Sequence, residues 1–304
     1  LSSTIYTKLI GMILYYDYGD IIDYEDFSLL STSTKVLDNK MFDSSLDITE
    51  ASLSISKLSE LRNWELEKLL HCFNTYGFVI VQCVSLDNSI EDFLLLTEIF
   101  GNLTSHNRAD ERGIVPIRPM AGYSEYLGAS NEPHFLHTDG PFEKNPPKVM
   151  ALQCEVPDPI GGYSLLVSSK AIYKYLAEQD YNGLKLLFEP NIFSIKRDNQ
   201  FHRRAIFKLK NSRIEMAFRY NDGKASVSVL PEASRAFNLI IEFVNNPKNQ
   251  ILFKLEKGQI LITDNTSVLH GRTGFSLNSP RKLNRINFDG FSQNYSRMLF
   301  GFNP

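Results

Sequence analysis

The sequence lacks the features that would place it in several large protein classes. It has three cysteines, Cys72, Cys83 and Cys154, an odd number with no C-x-x-C pair, so neither a disulfide framework nor a structural zinc site is indicated and a reducing cytoplasm is the expected location. There is no excess of positive charge. Lys and Arg number 32 against 35 Asp and Glu, a net charge of -3, and no global field exists to hold a polyanion, so nucleic acid is not the expected partner. Long apolar runs are missing as well: Leu9 to Tyr16 falls far short of the roughly 20 residues of a membrane span. That run leads into the acidic stretch Asp17 to Asp26 with no small-residue cleavage site after it, and neither a membrane anchor nor a signal peptide is expected. Glycine-rich phosphate loops, internal repeats and low-complexity segments are absent, and the pair Gly161-Gly162 lacks both nucleotide fingerprints.

What is present is the balance of a globular protein: 304 residues, 43% apolar, 12% aromatic and 22% charged. Residues 1–55 are rich in Ser, Asp, Thr and Tyr without a sustained helical period, and read as an N-terminal extension to a single domain over 56–304. Leu58, Leu61, Leu66, Leu69, Leu70 and Phe73 predict a helix, and the β-branched run Phe78 to Val84 after Gly77 predicts a buried strand, with Trp64 and the aromatics from Phe73 to Phe78 in the core. A second helix is expected from a capping Asn88 or Ser89 to Gly101. Strand-like segments then dominate, at 148–154, 164–167, 213–220, 225–230, 251–255, 259–263 and 285–291, broken by helices near 169–178 and 232–246. The expected class is mainly β with flanking helices, a double-sheet core with helices packed outside it.

One constellation carries chemistry. In Pro133-His-Phe-Leu-His-Thr-Asp139, residues two apart on an extended chain share a face, so the His137 ring and the Asp139 carboxylate converge. His270, after the strand at 259–263 and before Gly271-Arg272, is the candidate third ligand. Two histidines and a carboxylate leave adjacent positions open on a six-coordinate iron, the pattern of non-haem Fe(II) oxygenases. Arg281 and Arg285 follow on a returning strand, where a guanidinium can make a planar two-point contact with a carboxylate, and Ser164 puts a hydroxyl at another strand start. Taken singly, the two arginines also fit a solvated strand face, Ser164 a strand-entry turn and His270 a structural histidine.

As a set, H-x-D at His137 and Asp139, G-G-x-S at 161–164, D-N-x4-H-G-R at 264–272 and R-x-x-x-R at Arg281 and Arg285 resemble the taurine dioxygenase (TauD/TfdA) family of Fe(II)- and 2-oxoglutarate-dependent oxygenases. The resemblance runs from about Leu58 to the end of the chain. It implies a double-stranded β-helix (jelly-roll, cupin-like) core and iron on His137, Asp139 and His270. It further implies 2-oxoglutarate held by Arg281 and by Ser164, where the family usually has threonine, with O2 as cosubstrate. Arg285 and His106 match positions that contact an anionic substrate, and Phe142 is expected as a pocket wall. Pro133 departs from the taurine enzyme, which has asparagine there, and leaves the substrate open. Halogenating relatives have a small residue where Asp139 stands, so hydroxylation or desaturation of a small, anionic or amino-acid-derived molecule, with release of succinate and CO2, is the implied activity. A metal-dependent hydrolase or isomerase would leave Arg281 and Ser164 unexplained, and a non-catalytic binding protein would leave the intact ligand set unexplained. No membrane partner is expected, and the sequence leaves a homo-oligomer open.

Overall fold

The structure is a computed structural model that describes residues 39–304, apart from 121, 123–125 and 221–224. Residues 1–38, with the apolar run Leu9 to Tyr16 and most of the N-terminal extension, lie outside the described residues.

The first half of the chain forms β1 (Ser52–Ile55), α1 (Asn63–Tyr76), β2 (Phe78–Cys83), α2 (Ser89–Leu94), α3 (Leu96–Phe100), β3 (Val115–Ile117), β4 (His134–His137) and β5 (Val149–Val156). Then come β6 (Ser164–Ser168), α4 (Ser169–Gln179), α5 (Tyr181–Leu186), β7 (Phe193–Arg197), β8 (Gln200–Arg204), β9 (Phe207–Lys210), β10 (Arg213–Met216) and β11 (Ala225–Val229). The chain closes with α6 (Ser234–Asn245), β12 (Ile251–Phe253), β13 (Gln259–Asp264), β14 (Val268–Arg272) and β15 (Lys282–Phe288). A six-stranded sheet has the order β1-β2-β13-β5-β15-β3 and a four-stranded sheet the order β12-β6-β14-β4; smaller sheets join β11-β7-β8 and β10-β9. Only the β1–β2 pair of the two larger sheets is parallel.

Strand alternation sorts the side chains into layers. Phe78, Ile80, Leu261 and Leu283 of the larger sheet meet Leu166, Ile251 and Val268 of the smaller one in a shared core. The intervening positions, Val79, Val81, Ile260, Ile262 and Ile286, face outward onto Leu69, Leu70 and Phe73 of α1 and onto Phe93 and Leu96. On the far side of the smaller sheet, Val167 and Leu269 pack against Ile172 and Leu176 of α4 and Ile240 of α6. Period two then places Arg285 and Asn287 on the same side of β15 as Leu283, and His270 and Arg272 on the same side of β14 as Val268. These polar residues therefore lie between the sheets. Residues 39–55, grouped by composition with the extension, supply the edge strand β1 and the buried Phe42, Ala51, Leu53 and Ile55.

Several expected elements differ in detail. Helix α1 starts at Asn63 rather than Leu58, because Glu65 turns back to accept the Arg62 backbone N–H at 2.8 Å and Leu58 sits in a separate 3-10 turn. Its end is as read: Gly77 has φ +73, and a Cβ there would lie 2.7 Å from Ser267 Oγ. Trp64 is not core. It is 54% exposed, on the face of the first turn opposite the Leu69–Phe73 stripe, with the Arg62 guanidinium over its ring at 4.8 Å. The second helix is two short ones meeting at Leu95, and the Asn88 side chain does not cap it. The strand expected over 213–220 ends at Met216, and His270 belongs to its own strand, β14, rather than to the end of the preceding one.

Candidate active site

Strands β4 and β14 pair antiparallel with His137 directly opposite His270, which puts both imidazoles on the inner face with ring centroids 4.5 Å apart. Asp139 follows two residues after β4 in a segment whose backbone is held in part by one side chain, that of Asn265. Asn265, in the turn between β13 and β14, accepts from the Asp139 backbone N–H at 2.7 Å and donates to the carbonyls of Asp139 at 3.0 Å and Pro147 at 2.8 Å. The carboxylate swings inward, where Asp139 Oδ1 lies 3.4 Å from His137 Nε2 and 3.7 Å from His270 Nε2. One donor atom from each of the three residues falls within 4.8 Å of the others.

Protonation decides what this cluster wants. His137 Nδ1 lies 2.6 Å from the carbonyl of Phe135, and that contact assigns the proton to Nδ1. The buried Nε2 then presents a lone pair, and no hydrogen-bond partner satisfies it. Across from it stands a carboxylate oxygen. Two acceptors facing each other at this range repel unless a cation lies between them, so the donor set fits a divalent metal. Burial, with Arg219 and His270 nearby, pushes His137 down to about 4, which keeps the ring neutral. Burial opposes ionisation of Asp139, but the Arg285 guanidinium beside it outweighs that and holds the carboxyl well below the usual range. Neutral imidazole and ionised carboxylate are the forms that bind metal. His134 stacks on His137 with centroids 4.2 Å apart.

The other face of the Asp139 carboxylate is held by β15. Asn287 Nδ2 donates to Oδ2 at 3.1 Å, and Arg285 Nη1 approaches Oδ2 at 3.1 Å. Arg285, expected to meet a substrate anion, thus also grips a ligand of the cluster, while its Nε is buried without a partner.

Arg281, at the entry to β15, is 4% exposed, with its guanidinium over the Phe275 ring at 5.0 Å. Gly162 makes room for it: the residue has φ +67, and a Cβ there would lie 2.7 Å from Arg281 Nε. Arg272 shares the same ring at 4.6 Å but gives its donors to the carbonyls of Ser130, at 3.2 Å, and Leu127, at 3.1 Å. Arg281 Nη1 has no such acceptor and is buried. Burial lowers its pKa to about 10, and the guanidinium stays charged. Ser164, also buried, stands two residues beyond Gly162 and opposite Arg272 in the β6–β14 register. A buried cation with an unmet donor is what a carboxylate would satisfy.

Next to Asp139 opens a cleft lined among others by His106, Phe142 and Arg285. Burial and then Arg285 push His106 down to about 3, so it is neutral. Phe142 lies under the Arg197 guanidinium at 4.9 Å. The sequence singles out these wall residues and the cluster; Asn265 stands in it only as part of D-N-x4-H-G-R, with no role assigned, and Asn287 is passed over. Asn287 had a signal, since it sits two residues beyond Arg285 on one strand and must share its face.

Two histidines and a carboxylate converging on one point inside a two-sheet β core form the donor set of mononuclear non-haem iron oxygenases. The chain belongs to the taurine catabolism dioxygenase TauD, TfdA family, whose profile matches residues 40–287. It is 24% identical over 217 residues to the isocyanide synthase xanB of Aspergillus fumigatus, a match covering 58% of this chain and 27% of that protein. It is 28% identical over 148 residues to the gamma-butyrobetaine dioxygenase of Pseudomonas sp. strain AK-1, covering 46% of this chain and 39% of that protein. The matched region thus spans well under half of either relative. Among solved structures, an asparagine oxygenase in complex with Fe(II), 2S,3S-3-hydroxyasparagine and succinate superimposes with a TM-score of 0.60 at 14% identity, covering 78% of this chain and 93% of that one. The two chains share a fold.

Proposed function

We propose that the protein is an Fe(II)- and 2-oxoglutarate-dependent dioxygenase that hydroxylates, or desaturates, an unactivated C–H of a small anionic or amino-acid-derived molecule. The observation that carries this reading is the orphaned lone pair of His137 Nε2 facing the Asp139 carboxylate, an arrangement that a cation reconciles. His137, Asp139 and His270 would hold the iron. Arg281 would bind the distal carboxylate of 2-oxoglutarate with help from the Ser164 hydroxyl, which accounts for its unmet buried donor. The bound metal, with 2-oxoglutarate and O2, supplies an oxidant able to take hydrogen from an unactivated C–H, with succinate and CO2 as coproducts.

The chain itself supplies orientation and exclusion of water. Asn265 fixes the Asp139 backbone, and Asn287 with Arg285 fixes its carboxylate, so one oxygen points at the histidines. Arg285, His106 and Phe142 would set the substrate in the cleft. Asp139 occupies the place a halide would need, which favours hydroxylation or desaturation over halogenation. The similarity to a gamma-butyrobetaine dioxygenase and to an asparagine oxygenase supports an amino-acid-like substrate class. We also infer that the two large sheets are the halves of a jelly-roll (double-stranded β-helix) core in one catalytic domain over 56–304, to which residues 39–55 add an edge.

Anaerobic titration of the apoprotein with Fe(II) and then 2-oxoglutarate, followed by visible absorption, tests the proposal. A weak charge-transfer band that neither component shows alone is expected, and it should be lost in Asp139→Ala. Iron bound with no band on adding the keto acid would overturn it.

A further inference from the structure

The cleft holds a second cationic feature that the roles above do not use. Arg108 lies on the segment after α3, with its guanidinium over the Tyr126 ring at 5.6 Å. It also lies close against Gly128, where a Cβ would come within 2.9 Å of its Nη2. Its Nε and Nη1 are buried, and neither has a hydrogen-bond acceptor among the described residues. The charges that act on it are mostly of its own sign: burial and then Arg285 and Arg197 lower its pKa to about 10, against weaker opposition from Tyr126 and Asp139. The Asp139 carboxylate is already engaged by Arg285, at both oxygens, and by Asn287 at Oδ2. Arg108 and His106 are also coupled in position, because the Arg108 backbone N–H donates to His106 Nδ1 at 3.1 Å. That contact leaves His106 Nε2 as the N–H that a ligand would meet. Arg108, His106 and Arg285 all line the same cleft.

A buried guanidinium with two unmet donors beside a second guanidinium is costly unless an anion enters. We propose that Arg108 is an anion-binding, specificity-determining residue of the substrate cleft, and that the substrate carries two anionic groups, one near Arg285 and His106 and the other on Arg108. A dicarboxylic amino acid derivative and a phosphate monoester share that chemistry. The inference rests on the oxygenase reading for calling the cleft a substrate site.

The test uses the full chain saturated with Mn(II) and 2-oxoglutarate, so that Arg281 is already occupied, and titrates it calorimetrically with sulfate at constant ionic strength set by chloride. Wild type should bind sulfate. Arg108→Gln should weaken it by about tenfold or more, and Arg108→Lys, which keeps the charge but loses the planar donors, by less. Melting temperatures without sulfate establish that both variants are folded. Displacement of sulfate by L-glutamate or by O-phospho-L-serine then distinguishes the two sources. Equal sulfate affinity in wild type and Arg108→Gln would overturn the inference, as would failure of both compounds to displace sulfate. If sulfate binding depends on Arg108 but the Fe(II) titration gives no band, the anion site stands and the oxygenase reading falls. If the band forms and sulfate is indifferent to Arg108, the reverse holds.

Discussion

Asn287 and Arg281 show how much a single side chain decides here. Asn287 touches no metal position itself, yet its amide holds one Asp139 oxygen at 3.1 Å and thereby aims the other at the histidines. Partners of this kind are worth about 10–100-fold in metal affinity. Asn287→Ala should therefore weaken Fe(II) or Mn(II) binding by about that factor in equilibrium dialysis, with the fold intact by circular dichroism. The role proposed for Arg281 is on the cosubstrate instead. Arg281→Lys replaces a planar fork by a point charge in a pocket shaped around the Phe275 ring. The 2-oxoglutarate concentration for half-saturation should rise about tenfold or more while metal affinity is unchanged, and an unaltered saturation curve would remove Arg281 from the cosubstrate site.

At the level of elements, the turn between β13 and β14 and the Gly161-Gly162 turn set the site's geometry without contributing a ligand. Asp264 accepts from the backbone N–H groups of Thr266 at 2.8 Å and Gly301 at 2.9 Å and from the Ser267 hydroxyl at 2.6 Å, which locks the turn that carries Asn265. Asp264→Asn leaves donors facing an amide NH2 and should cost about 1–3 kcal/mol in denaturant unfolding. Burial pushes the Asp264 carboxyl up to about 6 from its ordinary 3.8, against the hydrogen bonds that lower it. The folded state therefore keeps a proton that the unfolded chain releases in this window, and the stability Asp264 contributes falls as pH rises from 3.8 through about 6. Asp264→Asn should flatten that part of the stability–pH profile. Gly162→Ala would place a methyl 2.7 Å from Arg281 Nε in a backbone conformation that alanine resists. It should raise the 2-oxoglutarate requirement with little change in metal affinity, measured by the same two titrations.

For the whole molecule, the cluster is a place where folding leaves two acceptors opposed and a metal relieves them. Metal that binds only the folded chain stabilises it by mass action, about 4 kcal/mol at a thousandfold excess over Kd. Mn(II) should accordingly raise the melting temperature of wild type in calorimetry and leave that of Asp139→Ala unmoved. No helix among the described residues is long and apolar enough to cross a membrane.

The chain order alone exposed the donor chemistry, because H-x-D is a local pattern whose two side chains share a face by strand geometry, and it exposed most strands through their β-branched runs. It misjudged Trp64, since aromatic character does not reveal which side of a helical turn a residue occupies. It passed over Arg108 because that residue's neighbours, Tyr126, Gly128 and Arg285, reach it only through the fold. The same limit applies to the other arginines. Arg272 and Arg281 sit on one phenylalanine, but the first is satisfied by carbonyls of the 127–130 segment and the second is not. Residue type and spacing carry a side chain's charge and its periodic face, whereas its availability to a ligand depends on which backbone oxygens arrive beside it, and those come from segments more than a hundred residues away.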